Sequence, residues 1–409
     1  MNKSVFVIGG GASGILAAIA AAKNGASVTI LEKNDRVGKK ILATGNGKCN
    51  LTNLDFNINK YHSTDNKQLQ QYFEMFNEKS TISFFGECGL MLKNKSGYIY
   101  PGCEQASVVL DVLRHMLDVF GINEITSAGV TDIKYKNGKY IIIADKQYIC
   151  DKVIMACGSL AGITGKEKNI NYKNGFDLSV NLGHSLKPVL PSLVQVECEE
   201  EFFPAISGVR ADCNITLYNS DGALAREEGE LQITNYGISG IPVFQLSGEI
   251  SRRLYNKEKL YAVIDFMPEL DEEAFSEFIR ARINAFRKET VENYFLGMVN
   301  KKLCSLFIKL SGLKQDNIVD ENVYDKLFEA SLLMKQFIVT IKATKSIENA
   351  QVCTGGVKLN EVNAHLMSKY LNGLYFCGEM LDVDGKCGGY NLQWAWTSGF
   401  IAGTFAAVE

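Results

Sequence analysis

The fold is decided by residues 4–33, which read SVFVIGGGASGILAAIAAAKNGASVTILEK. Residues 4–8 are rich in β-branched and aromatic side chains, residues 12–24 form an alanine-rich helical segment, and residues 27–32 are a second apolar, strand-like run. A strand, a turn, a helix and a second strand within about 30 residues are typical of the βαβ unit of a parallel sheet.

A glycine motif lies between that first strand and that helix. The run GGGASG at residues 9–14 satisfies the spacing Gly-x-Gly-x-x-Gly. Gly9 permits the tight turn, Gly11 lets the backbone approach a pyrophosphate, and Gly14 lets helix and strand pack closely. The helix N-terminus then offers unpaired N–H groups and the positive end of its dipole to phosphates. The motif therefore predicts a dinucleotide-binding site.

An acidic residue ends the second strand. Glu32 follows Gly14 by 32 − 14 = 18 residues, where a carboxylate can accept hydrogen bonds from the hydroxyls of an adenosine ribose. A 2′-phosphate at that place would meet Glu32 with like charge. An unphosphorylated ribose is favoured, which leaves FAD and NAD both open at this point.

Two further glycine-rich segments are suited to an anionic cofactor. Residues 38–50, GKKILATGNGKCN, combine three glycines with three lysines and could wrap and neutralise it, although a solvated basic loop would have the same composition. Residues 377–392, CGEMLDVDGKCGGYNL, predict a strand that carries an acid toward ribitol, followed by a turn and a helix whose dipole faces a flavin. A structural strand–loop–helix junction is the alternative. A calcium loop started at Asp382 would place Gln393, not Glu, at its twelfth position.

Composition limits the class of protein. Of 409 residues, 46% are hydrophobic and 22% are charged, and the net charge is −3, so the chain has no basic excess for a nucleic-acid partner. It lacks an apolar run long enough to span a membrane and a signal-peptide pattern at its start, and we expect a cytoplasmic protein. Eleven cysteines without a Cys-x-x-Cys pair, with four histidines, predict reduced core thiols and no metal.

The rest of the chain suggests an insertion. The patterns predict helices at residues 68–85 and 106–120, a hairpin of strands at 129–135 and 140–144, and a strand at 152–156. After about Pro188 the chain becomes β-rich, then helical, and it returns to short strands before a closing helix from about Leu392. We therefore predict an α/β protein with a Rossmann-like doubly wound FAD-binding domain and an inserted β-barrel-like plus helical region. The predicted boundaries are 1–190 and 345–409 for the FAD-binding domain, 190–345 for the inserted substrate region, about 190–265 and 335–345 for its β-rich part, and about 270–333 for its helical part.

Four segments make a family resemblance specific: VIGGGASGILAA (7–18), GKKILATGNGKCNLTN (38–53), TNYGISGIP (234–242) and FCGEMLDVDGKCGGYNLQWAWTSG (376–399). The chain resembles the two-dinucleotide-binding-domain flavoproteins. Within them it is similar to a bacterial family of NAD(P)/FAD-dependent oxidoreductases, whose members include 3-dehydro-bile-acid Δ4,6-reductase and proteins labelled aminoacetone oxidase. Lys48 stands where that family often has arginine.

The resemblance implies FAD as cofactor and NAD(P)H as a transient reductant of the flavin. It favours hydride transfer to a conjugated C=C bond of a small or medium apolar substrate, with no nucleic-acid or membrane partner; the oligomeric state stays open. Two rival hypotheses remain, an FAD-dependent amine oxidase that uses O₂ and a non-catalytic flavin-binding or tRNA-modification accessory protein. The absence of a second Gly-x-Gly-x-x-Gly means that NAD(P)H has no Rossmann unit of its own.

The same resemblance implies the cofactor contacts. They are Gly9, Gly11, Ala12, Ser13, Gly14, Glu32, Lys33, Lys40, Thr44, Gly45, Asn46, Asn50, Val130 (on its strand, at the adenine), Gly378, Glu379, Gly389, Tyr390, Asn391 and Leu392. The catalytic residue is unknown, and Tyr390 and Lys48 are candidate proton donors by location.

Three other signals are interpreted as structural. Gly237-Ile238-Ser239-Gly240 lacks the final glycine of a nucleophile elbow, because position 241 is Ile. Cys49 has no nearby cysteine in sequence with which to form a redox pair, and we expect it to pack as a small residue. Trp394 and Trp396 are expected to pack in the core.

Overall fold

The computed structural model describes residues 2–161 and 174–409. The chain forms two compact units, residues 1–190 together with 352–409 and residues 191–351. Each unit has its own hydrophobic core.

The elements follow one another along the chain. The first unit begins with β1 (Ser4–Ile8), α1 (Ala12–Lys23), β2 (Ser27–Leu31), β3 (Thr52–Asn53), β4 (Tyr61–Ser63), α2 (Asn66–Met75), α3 (Glu78–Glu87), β5 (Leu92–Lys95), β6 (Tyr98–Pro101), α4 (Ala106–Val119), β7 (Asn123–Ile125), β8 (Asp132–Lys136), β9 (Lys139–Ile143), β10 (Gln147–Cys150), β11 (Lys152–Met155), α5 (Gly175–Asn181) and β12 (Leu186–Ser192). The second unit contains β13 (Val196–Cys198), α6 (Phe203–Ile206), β14 (Arg210–Asn219), β15 (Gly222–Ile233), β16 (Gly237–Gly240), α7 (Ile241–Tyr255), β17 (Leu260–Asp265), α8 (Glu272–Ala285), α9 (Val291–Phe295), α10 (Lys301–Leu310), α11 (Tyr324–Leu332) and β18 (Phe337–Thr344). The first unit resumes with β19 (Val352–Val357), β20 (Leu374–Phe376), β21 (Val383–Gly385) and α12 (Tyr390–Val408).

The first unit is built on a parallel five-stranded sheet in the order β7-β2-β1-β11-β20. Numbered by their succession within this sheet, the strands run 3-2-1-4-5, the order of a doubly wound sheet, whose ligand crevice opens where the order reverses beside β1. Val7 pairs with Ile30 of β2 on one side and Ile154 of β11 on the other. These side chains are fully buried, as expected for the central strands of a parallel sheet.

Smaller sheets surround that sheet in the first unit. β8, β9 and β10 form an antiparallel sheet whose first hairpin turns at Asn137-Gly138. The remaining strands pair as β3-β6-β5, as β21-β4 and as β12-β19. Because β4 and β21 are far apart in sequence, their pairing connects the segment between β3 and α2 to the segment before α12.

The second unit contains a closed barrel in the order β13-β16-β15-β14-β17-β18. Strand β14 pairs with β15 along ten positions, from Arg210–Gln232 to Asn219–Gly222. The side chains of Ile215, Leu217 and Ile264 are fully buried in its core. Closure leaves the barrel without a free sheet edge.

Several predicted elements need correction. Val130 does not lie on a strand: it precedes β8, which begins at Asp132. The predicted helix 68–85 is two helices, because the Asn77 side chain accepts hydrogen bonds from the N–H groups of Lys79 and Ser80 and caps a new helix. The closing helix begins at Tyr390 rather than Leu392.

One helix of 15 residues, α7, was not predicted within the β-rich region. Its signals are present in the sequence: Pro242 lies in the first turn, and Arg252 and Arg253 lie in the last. The helical periodicity of α7 was missed because strand-like segments precede and follow it in the sequence.

Within the described ranges, no helix combines the length and apolar character needed to cross a membrane. The same ranges hold no group of three or more His, Cys, Asp or Glu side chains placed to bind a metal ion.

Candidate functional site

The glycine motif forms the turn between β1 and α1. A Cβ on Gly14 would overlap the Gly9 carbonyl oxygen, so this helix can pack on the turn only with glycine there. A Cβ on Gly11, by contrast, would meet no atom within 4 Å. Gly11 is the N-cap of α1, and no side chain caps the helix. Gly11 therefore lies beside open space at the N-terminus of α1, where Ala12 is half-buried and Ser13 is buried, and the N–H groups of this first turn have no partner within the helix.

Glu32 lies directly after β2 and is buried. Its carboxylate accepts hydrogen bonds from Gly10 N at 2.7 Å, Asn34 N at 2.9 Å and Asn34 Nδ2 at 2.6 Å. A carboxylate has about four lone-pair sites, so these three donors leave room for one more. The half-buried Lys33 follows it, and the chain leading to Val130 runs alongside, where Ala128 N donates to Glu32 O at 2.9 Å.

The lysine-rich loop contacts the C-terminal segment through one ion pair. Lys40 Nζ lies 2.7 Å from Glu379 Oε2. Residues 39–47 form 3₁₀ turns interrupted at Thr44, Gly45 and Asn46, which leave the helical conformation. Gly45 and Asn46 are exposed, and Gly45 lies beside the backbone nitrogen of Asn50. The structure thus brings Lys40 to Glu379 and Gly45 to Asn50.

The segment after β20 is held by the last helix. Gly378 N donates to Ser398 Oγ at 2.8 Å, and Trp394 Nε1 donates to Gly378 O at 3.0 Å. Glu379 follows, and its second carboxylate oxygen, Oε1, is buried with no hydrogen-bond partner among the described residues. An ionised oxygen in that position requires a donor, because an unpaired buried charge is costly.

A second buried polar atom lacks a partner at the N-terminus of α12. Gly389 is the N-cap of this helix, with φ at +95° and no side-chain cap. A Cβ on Gly389 would lie 2.9 Å from Asn50 Oδ1, so the two residues are neighbours. Asn50 Oδ1 is buried and unpaired in the described part of the chain. Because no side chain among the described residues caps α12, the N–H groups of its first turn, like those of α1, have no partner within the helix.

Helices α1 and α12 run in the same direction in close contact. A Cβ on Gly399 would overlap the Ser13 carbonyl oxygen, and one on Gly403 would overlap that of Ala17. Gly399 lies nine residues after the start of α12 (399 − 390), whereas Ser13 lies one residue after the start of α1 (13 − 12). The difference of eight residues places the α12 N-terminus about 12 Å beyond that of α1, at 1.5 Å per residue.

These features fit FAD. One helix N-terminus suits a pyrophosphate, a second suits the electron-accepting ring, and the spacing between them suits the ribitol chain. Glu32 would hold the adenosine ribose, and the unpaired oxygens of Glu379 and Asn50 would accept hydrogen bonds from the ribitol and the ring. The contacts predicted from the sequence are thus brought together at Glu32, the α1 N-terminus, Glu379, Asn50 and Gly389.

The two candidate proton donors are not equivalent. The Tyr390 hydroxyl is directed at Asp55 and donates to its carbonyl oxygen at 3.0 Å, and burial raises the Tyr390 pKa to about 12. That proton is engaged with the backbone. Lys48 is 56% exposed and lies 3.8 Å from Glu104.

The Asn391 side chain was expected at the ring, but it stabilises the turn before α12. It accepts a hydrogen bond from Gly385 N at 2.8 Å and donates one to Gly385 O at 2.7 Å. Leu392 is half-buried in the first turn of α12.

Sequence reasoning missed the side chains that support this turn. Asn53 Nδ2 donates to Gly388 O at 3.1 Å, and a Cβ on Gly388 would lie 2.8 Å from the Tyr98 ring. Gln393 Oε1 accepts from Thr52 Oγ1 at 2.6 Å, inside the core. Asn53 and Thr52 belong to the resembling stretch 38–53, which was the available signal.

Cys49 and the two tryptophans behave as core residues, whereas Cys103 is exposed, so the prediction of core thiols is wrong at that position. Cys49 is fully buried, and desolvation raises its pKa to about 11, which keeps the thiol protonated and confirms its packing role. Trp394 and Trp396 are also buried, and Trp396 Nε1 donates to Leu51 O at 3.0 Å. Both tryptophans pack as predicted.

Residues 3–405 match the model described as HI0933-like protein Rossmann domain. The chain belongs to this family. The predicted family and the doubly wound α/β fold with an inserted barrel are confirmed, and the protein is a nucleotide-binding flavoprotein oxidoreductase.

Two curated relatives and one solved structure align with nearly the full length of the chain. The chain is 40% identical over 412 residues, 100% of itself and 99% of the relative, to the 3-dehydro-bile acid delta(4,6)-reductase of Clostridium scindens. It is 28% identical over 96% of both chains to the ribosomal RNA dihydrouridine synthase of Haemophilus influenzae. The 3-ketosteroid-Δ4-(5α)-dehydrogenase of Rhodococcus jostii has 14% identity and a TM-score of 0.48, over 99% of this chain and 97% of that chain.

Proposed function

We propose that this protein is an FAD-dependent reductase that takes hydride from NAD(P)H and reduces a C=C bond conjugated to a carbonyl in a small or medium apolar substrate. The observation that carries the proposal is the full-length 40% identity to a protein named as a reductase of a 3-dehydro-bile acid. It is supported by two buried oxygens of the first unit, on Glu379 and Asn50, which have no hydrogen-bond partner among the described residues and match the needs of a flavin cofactor.

In this proposal the chain provides binding, orientation and electrostatics. The N-terminus of α1 binds the pyrophosphate and Lys40 lowers the local negative charge, while Glu32 orients the adenosine end. The dipole of α12 stabilises negative charge beside its N-terminus, at Gly389. The flavin, when bound, supplies the redox chemistry. Residues 191–351 are proposed to contain the substrate-selecting region.

A second candidate substrate has a specific basis. The relatives named ribosomal RNA dihydrouridine synthase, from Haemophilus influenzae and Escherichia coli, match 96% of this chain at 28% and 26% identity. Forming dihydrouridine also reduces a C=C bond conjugated to a carbonyl, so the chemistry is shared while the substrate is RNA. The net charge of −3 favours the small molecule, because RNA binding requires a basic surface.

The proposal is tested in three steps on the purified protein. The cofactor released by denaturation is identified by chromatography, and we expect FAD; FMN alone would contradict the proposal. Bound flavin is then bleached by NADH or NADPH without oxygen. Finally, the bleached protein is mixed with a steroid enone, with unmodified ribosomal RNA, or with O₂. Rapid return of flavin colour with the enone supports the proposal, with RNA it favours the second candidate, and with O₂ alone it favours the amine oxidase.

NAD(P)H and the substrate should bind at the same face of the flavin, because the sequence has no second dinucleotide-binding motif. One ligand then leaves before the other binds, and reciprocal plots at several NAD(P)H concentrations should be parallel. Intersecting plots would show that both ligands bind together.

A further inference from the structure

The hairpin of β5 and β6 presents a cationic and aromatic face next to the turn at residues 385–389. Lys93 pairs with Tyr100 and Lys95 pairs with Tyr98 across the two strands. Cross-strand partners project to the same side of a sheet, so these four side chains share one face. Ile99, on the opposite side, is buried.

This face is tied to the turn that precedes α12. The Tyr98 ring lies against Gly388, and Asn53, which pairs with Tyr98 across β3 and β6, donates to the Gly388 carbonyl. Lys95 is the cross-strand partner of Tyr98, at a Cβ separation of roughly 5 Å. The cationic face is therefore one residue pair from the place proposed for the flavin ring.

Three lysines converge on a single carboxylate there. Glu104 lies 2.6 Å from Lys95 Nζ, 3.0 Å from Lys93 Nζ and 3.8 Å from Lys48 Nζ. Hydrogen bonds from Lys95 and Lys93 lower the pKa of Glu104 to about 2, as expected of a carboxylate in a strongly positive field. Glu104 has a positive φ of 55°, and its N–H is bonded to Pro101 O at 2.8 Å, so the backbone fixes it among the lysines.

Three positive charges against one negative charge leave an excess. The side chains of Lys48, Lys93 and Lys95 are 42–56% exposed, whereas that of Glu104 is 20% exposed. The lysine ammonium groups can therefore bind an external anion, and Glu104 competes with that anion for them. Lys95 also lies 6.0 Å from the centre of the Tyr100 ring, which provides an apolar surface beside the charge.

We propose that the cluster of Lys48, Lys93 and Lys95 binds the oxyanion of the molecule that approaches the 385–389 turn, and that Glu104 competes with it. The oxyanion is a phosphate of the nicotinamide donor or a carboxylate of the substrate; both have the same chemistry at this cluster. The inference rests on the proposed function for the identity of the visiting molecules, but not for the binding of an anion.

The first test measures anion binding without turnover. The FAD-loaded protein is titrated calorimetrically with inorganic pyrophosphate. Lys95→Ala should weaken binding about two- to five-fold, the range for a partly exposed ion pair, and Glu104→Gln should strengthen it by a similar factor. The control Lys134→Ala removes another exposed lysine, 3.7 Å from Asp132 on β8, and should change nothing. No binding by the wild type, or weaker binding in Glu104→Gln, would overturn the proposal.

The second test identifies the source of the anion. Flavin bleaching by NADH and by NADPH is followed in stopped flow, and recovery of colour is followed with an enone carboxylate and with its methyl ester. If Lys95→Ala changes only the donor's apparent Kd, the anion is the donor's phosphate. A change confined to the carboxylate substrate assigns it to the substrate. If neither step changes, the cluster has no docking role and the proposal is wrong.

The two proposals can fail separately. If no enone restores flavin colour, while Lys95→Ala and Glu104→Gln still shift pyrophosphate affinity in opposite directions, the proposed reductase function is wrong and the oxyanion site stands. If enones react but the two variants shift pyrophosphate affinity in the same direction, the reductase function stands and the oxyanion site is wrong.

Discussion

Two carboxylates of the first unit, Glu32 and Glu379, meet their hydrogen-bonding needs differently. Glu32 already accepts from Gly10 and Asn34, so it organises the glycine turn before any ligand binds. Glu379 has one oxygen on Lys40 and one that is buried without a partner in the described residues. The first is pre-organised, and we propose that a ligand supplies the donor that the second lacks.

Replacing Glu32 should weaken FAD binding. Glu32→Ala removes the one charge-assisted hydrogen bond that we propose Glu32 accepts from a ribose hydroxyl, about 1.5–3 kcal/mol, so Kd should rise about ten-fold or more. The Kd is measured by titrating FAD into the apoprotein and recording flavin fluorescence. Glu32→Gln keeps an acceptor for Gly10 N and serves as control, with a smaller loss. Wild-type affinity in Glu32→Ala would remove this residue from the site.

Lys40 and its neighbour Lys39 form a matched pair for a second test. Lys40 pairs with Glu379, whereas Lys39 pairs with Asp35, which is 70% exposed. Lys40→Ala should weaken FAD binding about two- to five-fold, because the positive charge beside the cofactor is lost, and Lys39→Ala should have little effect. Equal losses in equilibrium titrations would show that the loop acts through general charge alone.

At the scale of elements, the close contact of α1 and α12 sets the distance between the two helix N-termini proposed to bind FAD. Gly399 and Gly403, one helical turn apart, allow the approach because each faces a carbonyl oxygen of α1. A larger residue at either place would push α12 away and shift its N-terminus relative to the α1 turn.

Gly403→Ala should therefore destabilise the protein by about 1–3 kcal/mol and weaken FAD retention, because the added methyl group overlaps the Ala17 carbonyl oxygen. Gly86→Ala, in α3, is the control: a Cβ there meets nothing within 4 Å. Alanine in place of that helical glycine should be neutral or stabilising by up to about 1 kcal/mol. Urea unfolding measures both. Equal stability of the two variants would contradict the helix-contact argument.

Elements with strong local signals could be predicted from the sequence. The βαβ unit, α4 and the hairpin at Asn137-Gly138 follow from local periodicity and turn chemistry. The break at Asn77 and the helix α7 were missed, because capping and barrel packing outweigh apolar periodicity there. The residues of the site could be proposed from motifs. The unpaired oxygens of Asn50 and Glu379 within the described residues, and the approach of Lys48 to Glu104, depend on contacts between segments that are distant in sequence.

At the scale of the whole molecule, the chain leaves the first unit after residue 190 and returns at residue 352. The segments by which the chain leaves and returns are close, since Gln351 N donates to Leu193 O at 3.3 Å. Every FAD contact proposed above lies in the first unit, which has its own core and its own parallel sheet. An inserted unit joined in this way can be removed without breaking the sheet on which the cofactor site is built.

Replacing residues 194–350 with a short Gly-Ser linker should therefore leave a folded protein that binds FAD and has no enone reductase activity. A short linker is sufficient because Leu193 and Gln351, the residues to be joined, are already hydrogen-bonded to each other. Circular dichroism, FAD stoichiometry and turnover are measured together. A chain with the same linker inserted after Leu193, and the second unit kept, controls for the linker. If the shortened chain melts cooperatively yet fails to bind FAD, the second unit supplies cofactor contacts. If the shortened chain turns over enones with unchanged selectivity, the residues that select the substrate lie in the first unit. The lysine cluster at Glu104 is then the first candidate for that role.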